Sequence, residues 1–304
     1  MEKIKILLDC DPGHDDAIAI LLAGLNEKID LLGISAVSGN QTLDKTARNA
    51  YNVSRYLNIN VPISLGADRP LKRERLNCGE IHGESGLDGF SFPKYTYDYD
   101  KRRAPEFIKD MLLANNDVIM VTTGPMTNLA IALSKYPEIK RHIKKIILMG
   151  GSIGEGNISP YAEFNILADA EAADICFRSG LPIRMIGLDV TRKVLVLEKI
   201  VKNMGLLHTK SSEMFVALMK FFNKTQKEVF GLEGGPLHDP VTIVSLIDDR
   251  VLTYEKMDVT INICNTERYG ETICVPNTNS NIEVATKIDV NLYWEVIKAG
   301  LNKY

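Results

Sequence analysis

Short apolar runs alternate with amphipathic stretches of helical period along the first two thirds of the chain. The runs at 4–8, 31–37, 61–65, 118–122, 145–149 and 183–188 are predicted strands, and the patterns at 16–25, 43–57, 104–113, 128–133 and 169–178 are predicted helices between them. The strands are apolar almost throughout, as strands covered on both faces are. This alternation predicts an α/β protein: an open, mostly parallel, Rossmann-like sheet with helices on both faces. The last third reads differently. A long helical pattern at 212–229 leads into Gly231-Leu232-Glu233-Gly234-Gly235-Pro236, a turn-rich loop. A helix at 240–247, β-like pieces at 259–264 and 271–275, and a final helix at 290–299 follow. No repeat and no low-complexity linker interrupts the pattern, so residues 1–304 are expected to form a single domain. The irregular segment 69–101, rich in charge, Gly and Tyr, is expected to be a mobile flap over a site.

Charge narrows the function. The net charge of −3 comes without a basic tract, which leaves nucleic-acid binding without electrostatic support. No apolar run approaches the roughly 18 residues of a membrane span. The apolar stretch before Asp9 is too short for a signal peptide. Five cysteines, Cys10, Cys78, Cys176, Cys264 and Cys274, are odd in number and lack Cys-x-x-Cys spacing. That excludes a disulfide framework and a cysteine-bound zinc, and it suits a reducing, cytoplasmic location. Cys10 lies between two acids that should raise its pKa, so it is read as inert packing.

The candidate chemistry sits where strands end. Asp9-Cys10-Asp11-Pro12-Gly13-His14-Asp15-Asp16 puts four carboxylates into eight residues at a strand-to-helix turn. Acids at a helix start cap N–H groups and complement the dipole, but four exceed that need. The helix start, a hydrogen-bond network or a hard cation with oxygen ligands could hold them. Other strands run into Ser38-Gly39-Asn40, Thr122-Thr123-Gly124-Pro125-Met126-Thr127-Asn128, Met149-Gly150-Gly151 and Asp189-Val190-Thr191. In a parallel sheet these ends share one edge, where ligands bind. Asn157, Glu163 and Asn165 add two amides and an acid in a short span; such groups suit sugar hydroxyls, which both donate and accept, although turns and caps use the same residues. His238-Asp239 after the Gly-rich loop reads either as a helix start or as a functional pair.

Taken in order, several segments resemble one family. They are Asp-Cys-Asp-Pro-Gly-His-Asp-Asp at 9–16, Ser-Gly-Asn at 38–40, Ile-His-Gly-Glu-Ser-Gly-Leu at 81–87 and Thr-Gly-Pro-Met-Thr-Asn at 123–128. Met-Gly-Gly at 149–151, Gly-Asn-Ile-Ser-Pro-Tyr-Ala-Glu-Phe-Asn at 156–165 and Gly-Gly-Pro-Leu-His-Asp-Pro at 234–240 complete the set. The chain resembles the inosine-uridine-preferring nucleoside hydrolases over nearly its whole length, and its last segment is similar to that of the bacterial ribosylpyrimidine nucleosidases. The resemblance implies metal-assisted hydrolysis of an N-ribosidic bond to free base and ribose. It implies one Ca²⁺ held by Asp11, Asp16, Asp239 and the backbone carbonyl of Thr123, with Asp11 as the general base for the attacking water. Asp15, Asn40, Asn157, Glu163 and Asn165 would hold the ribose, and Phe164, Gln226 and Phe230 would join them around the substrate. Asp9 is expected to support the site from behind. His82 and His238 are the candidates for protonating the departing base, whereas His14, His142 and His208 are read as structural or exposed.

The implied transition state is oxocarbenium-like, as in O-glycosidases, with inversion at C1′. One position departs from the pattern: some pyrimidine-specific relatives carry Tyr where this chain has Phe230, which can stack but not donate a hydrogen bond. The expected preference is uridine and cytidine over inosine, with purine acceptance as the alternative. A phosphohydrolase of the haloacid-dehalogenase type also starts with a strand ending in Asp-x-Asp, but Pro12-Gly13 breaks that pattern. A non-catalytic ribonucleoside binder would be expected to lack Asp11 or His238. Relatives imply a homo-oligomer, a dimer or a homotetramer.

Overall fold

The computed structural model describes residues 2–76 and 79–303. Cys78 lies outside the described residues; Cys10, Cys176, Cys264 and Cys274 are free thiols. Among the described residues nine strands form one sheet. They are β1 (Ile4–Cys10), β2 (Ile29–Ala36), β3 (Ile63–Leu65), β4 (Val118–Thr122), β5 (Ile143–Met149), β6 (Ile183–Ile186), β7 (Leu252–Ile261), β8 (Thr272–Pro276) and β9 (Ile282–Ile288). Their spatial order is β3-β2-β1-β4-β5-β6-β9-β7-β8. Strands β1 to β6 and β9 run parallel, and β7 is antiparallel to both β9 and β8. The chain starts in the middle, winds out to β3, then returns past β1 to β4. The switch of direction between β1 and β4 opens a crevice at the carboxyl ends of these strands.

The helices are α1 (His14–Leu25), α2 (Leu43–Tyr56), α3 (Gly79–His82), α4 (Ala104–Leu113), α5 (Thr127–Lys135), α6 (Phe164–Ala168), α7 (Ala170–Phe177), α8 (Leu188–Thr191), α9 (Glu198–Gly205), α10 (Lys210–Phe230), α11 (Pro240–Ile247) and α12 (Val290–Leu301). They form two layers. Ile6, Leu8 and Cys10 of β1 face a core shared with α1, α2, α10, α11 and α12. Leu7, on the other side of the same strand, faces a core shared with α4, α5 and α7. Both faces of β1 are thus apolar, which explains the unbroken hydrophobic run in its sequence.

The structure corrects several element boundaries. Strand β3 begins at Ile63 rather than 61, because Pro62 has no N–H to pair. β5 starts earlier, at Ile143, and β7 earlier and longer, at Leu252. β6 stops at Ile186, and Asp189-Val190-Thr191 is a helical turn, α8, rather than a strand end. The predicted helix 169–178 is α7, capped by Asp169 accepting from Ala172 N at 3.1 Å, and a short helix that was not expected, α6, precedes it. β9 was not expected at all.

Candidate active site

Asp11 leaves the end of β1 and enters the crevice fully buried. Its Oδ2 accepts from the Asn40 backbone N–H at 2.7 Å, and its Oδ1 has no partner among the described residues. Asp15 and Asp16 sit in the first turn of α1. Asp16 is used twice by the fold: Gly13 N–H donates to Oδ2 at 3.0 Å, capping the helix, and the Thr123 hydroxyl donates to Oδ1 at 2.7 Å. Asp239 arrives at the head of α11. One carboxylate oxygen each from Asp15, Asp16 and Asp239 lies within 4.8 Å of the others. The geometric cluster therefore contains Asp15, assigned to the ribose by resemblance, while Asp11 stands beside it. Asp9 supports from behind, its Oδ1 accepting from Ser35 Oγ at 2.5 Å and Asn128 Nδ2 at 2.8 Å.

Burial and mutual repulsion drive the electrostatics. Burial, then Asp16, push Asp15 up to about 7. Burial, then the charge of Asp16, raise Asp11, and burial, then Asp15, Asp16 and Asp11, raise Asp239 well above the usual carboxylate range. Burial also pushes Asp9 up to about 7 and lifts the Cys10 thiol far above its usual value, which keeps Cys10 unreactive. Carboxylates gathered this way fit a hard cation: the donors are all oxygen, they are desolvated, and the Oδ1 of Asp11 is free.

A cavity of about 450 Å³ opens above the acids. Asp15, Asn40, His82, Thr123, Asn157, Glu163, Phe164, Asn165, Gln226, Phe230, His238 and Asp239 all line it; Asp11 and Asp16 lie fully buried. Glu163 caps α6, accepting from Gly151 N at 3.0 Å, Asn165 N at 2.9 Å and Ile166 N at 3.1 Å. Burial raises its pKa, and these three bonds oppose the shift. Asn165 Nδ2 donates to the carbonyls of Thr123 and Met149 at 2.9 and 3.1 Å, tying α6 to the ends of β4 and β5. Asn157 Oδ1 accepts from Phe164 N at 2.9 Å, and Asn40 Nδ2 donates to Asp11 O at 3.2 Å. Amides and acid thus project from backbone-anchored positions.

Two histidines, His82 and His238, line the same cavity. His82 closes α3 and stacks on Phe222. Its Nδ1 lies 3.1 Å from His14 Nδ1, while His14 Nε2 donates to Asp88 O at 2.8 Å. His14 is therefore a buried support under His82, packed against Phe221 and Phe222. Burial, then His14 and His238, hold His82 well below its usual pKa. Burial, then Arg192, push His238 down to about 3. His238 Nδ1 lies 2.7 Å from Thr191 Oγ1.

The sequence reading missed Ile81, Met149, Ile158, Arg192, Leu195, Phe222, Leu232 and Pro236, which also line the cavity. Most are apolar and carry no signal that separates a lining residue from a core residue. It also placed Asp189 at the converging ends. Asp189 instead accepts from the backbone of Ile153 at 2.7 Å and Gly154 at 3.2 Å, holding the loop before Asn157.

Acids suited to a cation and amides suited to hydroxyls line one cavity. The two histidines that line it with them are then left to meet a departing group, and the class so defined is a hydrolase of the N-glycosyl bond of ribonucleosides. The profile of the inosine-uridine preferring nucleoside hydrolases matches residues 6–295, and the chain belongs to that family. It is 42% identical to the pyrimidine-specific ribonucleoside hydrolase RihB of Shigella sonnei, over 100% of this chain and 99% of that protein. Among solved structures, the purine-preferring ribonucleoside hydrolase of Gardnerella vaginalis superposes with a TM-score of 0.91 at 32% identity, covering 99% of this chain and 100% of the other. A plant nucleoside hydrolase, PpNRh1, gives 0.91 at 27% identity and 99% of each chain.

Proposed function

We propose that this enzyme hydrolyses uridine and cytidine in preference to inosine, that it uses calcium, and that Asp11 is its general base. The observation that carries the catalytic assignment is the unpartnered Oδ1 of Asp11, fully buried beside three more carboxylates. Asp11, Asp16, Asp239 and the Thr123 carbonyl would hold the ion. When bound, it would supply the positive charge that relieves the acids, polarises a water and grips ribose hydroxyls.

The remaining roles belong to the chain. Asp15, Asn40, Asn157, Glu163 and Asn165 orient the ribose through its hydroxyls. As the C1′–N bond lengthens, positive charge grows on the sugar, and the carboxylates of Asp15 and Glu163 stabilise it. Asp11 takes the proton of the incoming water, which attacks from the face opposite the base and inverts C1′. His82 and His238 meet the base as it gains electrons. Gln226 lines the cavity at 6% exposed, and its amide can both donate to and accept from a pyrimidine edge. The name of the relative at 42% identity supports the pyrimidine reading. One observation favours purine acceptance: Phe230, 50% exposed at the mouth, has only a ring face to offer and can stack on either kind of base.

The proposal extends to a single domain over 1–304, a homo-oligomer (dimer or homotetramer) and a cytoplasmic location. No helix of the described residues is long and apolar enough to cross a membrane. The test is chromatography of uridine and inosine incubated with the protein, with and without a calcium chelator. Uracil release that stops with chelator and returns with calcium supports the reading, and hypoxanthine released faster than uracil overturns the base preference.

A further inference from the structure

The mounting of His238 is unusually complete. The backbone segment before α9 and the loop before α11 are bonded together: Leu237 N donates to Val194 O at 3.1 Å and Val196 N to Gly235 O at 2.9 Å. Tyr293 Oη adds a bond to Leu237 O at 3.1 Å. This clamp sets His238 against Thr191, the last residue of α8, which is fully buried. The Thr191 hydroxyl has one hydrogen-bond partner among the described residues, the Nδ1 of His238 at 2.7 Å.

A buried hydroxyl with a single ring-nitrogen partner has two options. It can accept from Nδ1–H, which strands its own hydrogen without an acceptor. Or it can donate to the Nδ1 lone pair, which satisfies both groups. The second leaves the one hydrogen of the neutral ring on Nε2. Since Nδ1 is turned to Thr191 and the ring lines the cavity, the Nε2 edge is the one a ligand meets. We infer that Thr191 is a positioning residue that fixes His238 as an Nε2–H hydrogen-bond donor to the departing base. The inference rests on the reading of His238 as the partner of the leaving group.

The step balances without a proton leaving the histidine. The C1′–N bond breaks and its electron pair goes to the base, spreading onto the carbonyl oxygen beside that nitrogen. The Nε2–H of His238 bonds that oxygen and keeps its hydrogen. Water forms the new C1′–O bond and yields a proton to Asp11. Asp11 returns this proton to solvent, and solvent protonates the base anion.

The experiment compares Thr191→Val, Thr191→Ser and His238→Ala on two substrates: uridine, and p-nitrophenyl riboside, whose leaving group departs as a stable anion unaided. Thr191→Val is expected to lower kcat for uridine about 10- to 100-fold with KM little changed, as loss of an orienting partner does. It should leave p-nitrophenyl riboside turnover near the parent rate, and Thr191→Ser should restore uridine turnover. A parallel loss on both substrates, or no loss on uridine, overturns the inference. His238→Ala at full rate on uridine overturns the reading beneath it; loss in His238→Ala with Thr191→Val unaffected overturns the positioning role alone. Nitrogen-15 NMR of the unaltered enzyme gives an answer that needs no variant: a protonated Nε2 and a bare Nδ1 on His238 are expected, and the opposite tautomer overturns the inference.

Discussion

Two glycines let Asp11 occupy its place. A Cβ on Gly39 would overlap Asp11 Oδ2, and one on Gly124 would come within 2.5 Å of Oδ1. Both turns, after β2 and β4, close over the carboxylate only because they lack side chains. Gly124→Ala should therefore displace Asp11 and lower kcat by about 100-fold, as misplacement by an ångström can, and a steady-state assay on uridine checks it. Asp11→Ala should abolish turnover and weaken calcium binding together, whereas His238→Ala should lower uridine turnover and leave calcium affinity nearly unchanged; isothermal titration with calcium beside the assay separates the two. At this scale the sequence announced the acids by their surplus, and it named every polar residue later found on the cavity wall except Arg192. It did not reveal which acids would gather, because the place of Asp15 in the cluster depends on Asp239 coming from another element. Nor did it reveal the partner of Thr191, which lies 47 residues away.

Among elements, α10 matters most to the substrate, since it carries Phe222, Gln226 and Phe230 to the cavity. Its start is a capping box: Ser212 N donates to Thr209 Oγ1 at 3.1 Å and Thr209 N to Ser212 Oγ at 3.0 Å. Its end is Gly231 in the left-handed region at φ 70°. Thr209→Ala removes the cap and should cost about 1 kcal/mol, a fall in melting temperature of about 2 °C, with kcat on uridine unchanged; a thermal melt and an activity assay read the two. Long periodic helices such as α10 and the apolar strands of the first half were legible because burial on one or both faces writes itself into the pattern. β9 was not: Glu283, Thr286 and Lys287 interrupt its apolar residues, since its register is set by pairing with β6 and β7 rather than by its own composition. α8 is a single turn, too short for any period to show.

Across the whole molecule, charge links stability to conditions. Glu283 on β9 accepts from Arg184 Nε of β6 at 2.7 Å and Lys145 Nζ of β5 at 2.9 Å, tying three strands. Burial works to raise the Glu283 pKa, but Arg184 and Lys145 prevail and hold it below 4.5. A carboxyl with a lowered folded pKa contributes stability above its unfolded value and loses it as pH falls through the folded one. Glu283→Gln should thus be less stable than the parent at pH 7, by less than about 1 kcal/mol given the partial exposure, and the two should converge in acid as pH falls through the lowered folded pKa; urea melts at pH 7 and down an acid series test this. The acid cluster acts in the other direction. An ion that binds only the folded protein stabilises it by about 2.7 kcal/mol at 100 times its dissociation constant, so chelation should lower the melting temperature and calcium should restore it.

The sheet begins at its centre and is completed from its far end. During synthesis, Asp11, Asp15 and Asp16 leave the ribosome well before Asp239, and β9, which joins β6 to β7, emerges later still. Until Asp239 emerges, a nascent chain carries Asp15 and Asp16 with nothing to close the cluster. Cation binding would therefore report that α11 has docked beside α1 and brought Asp239 to the other acids.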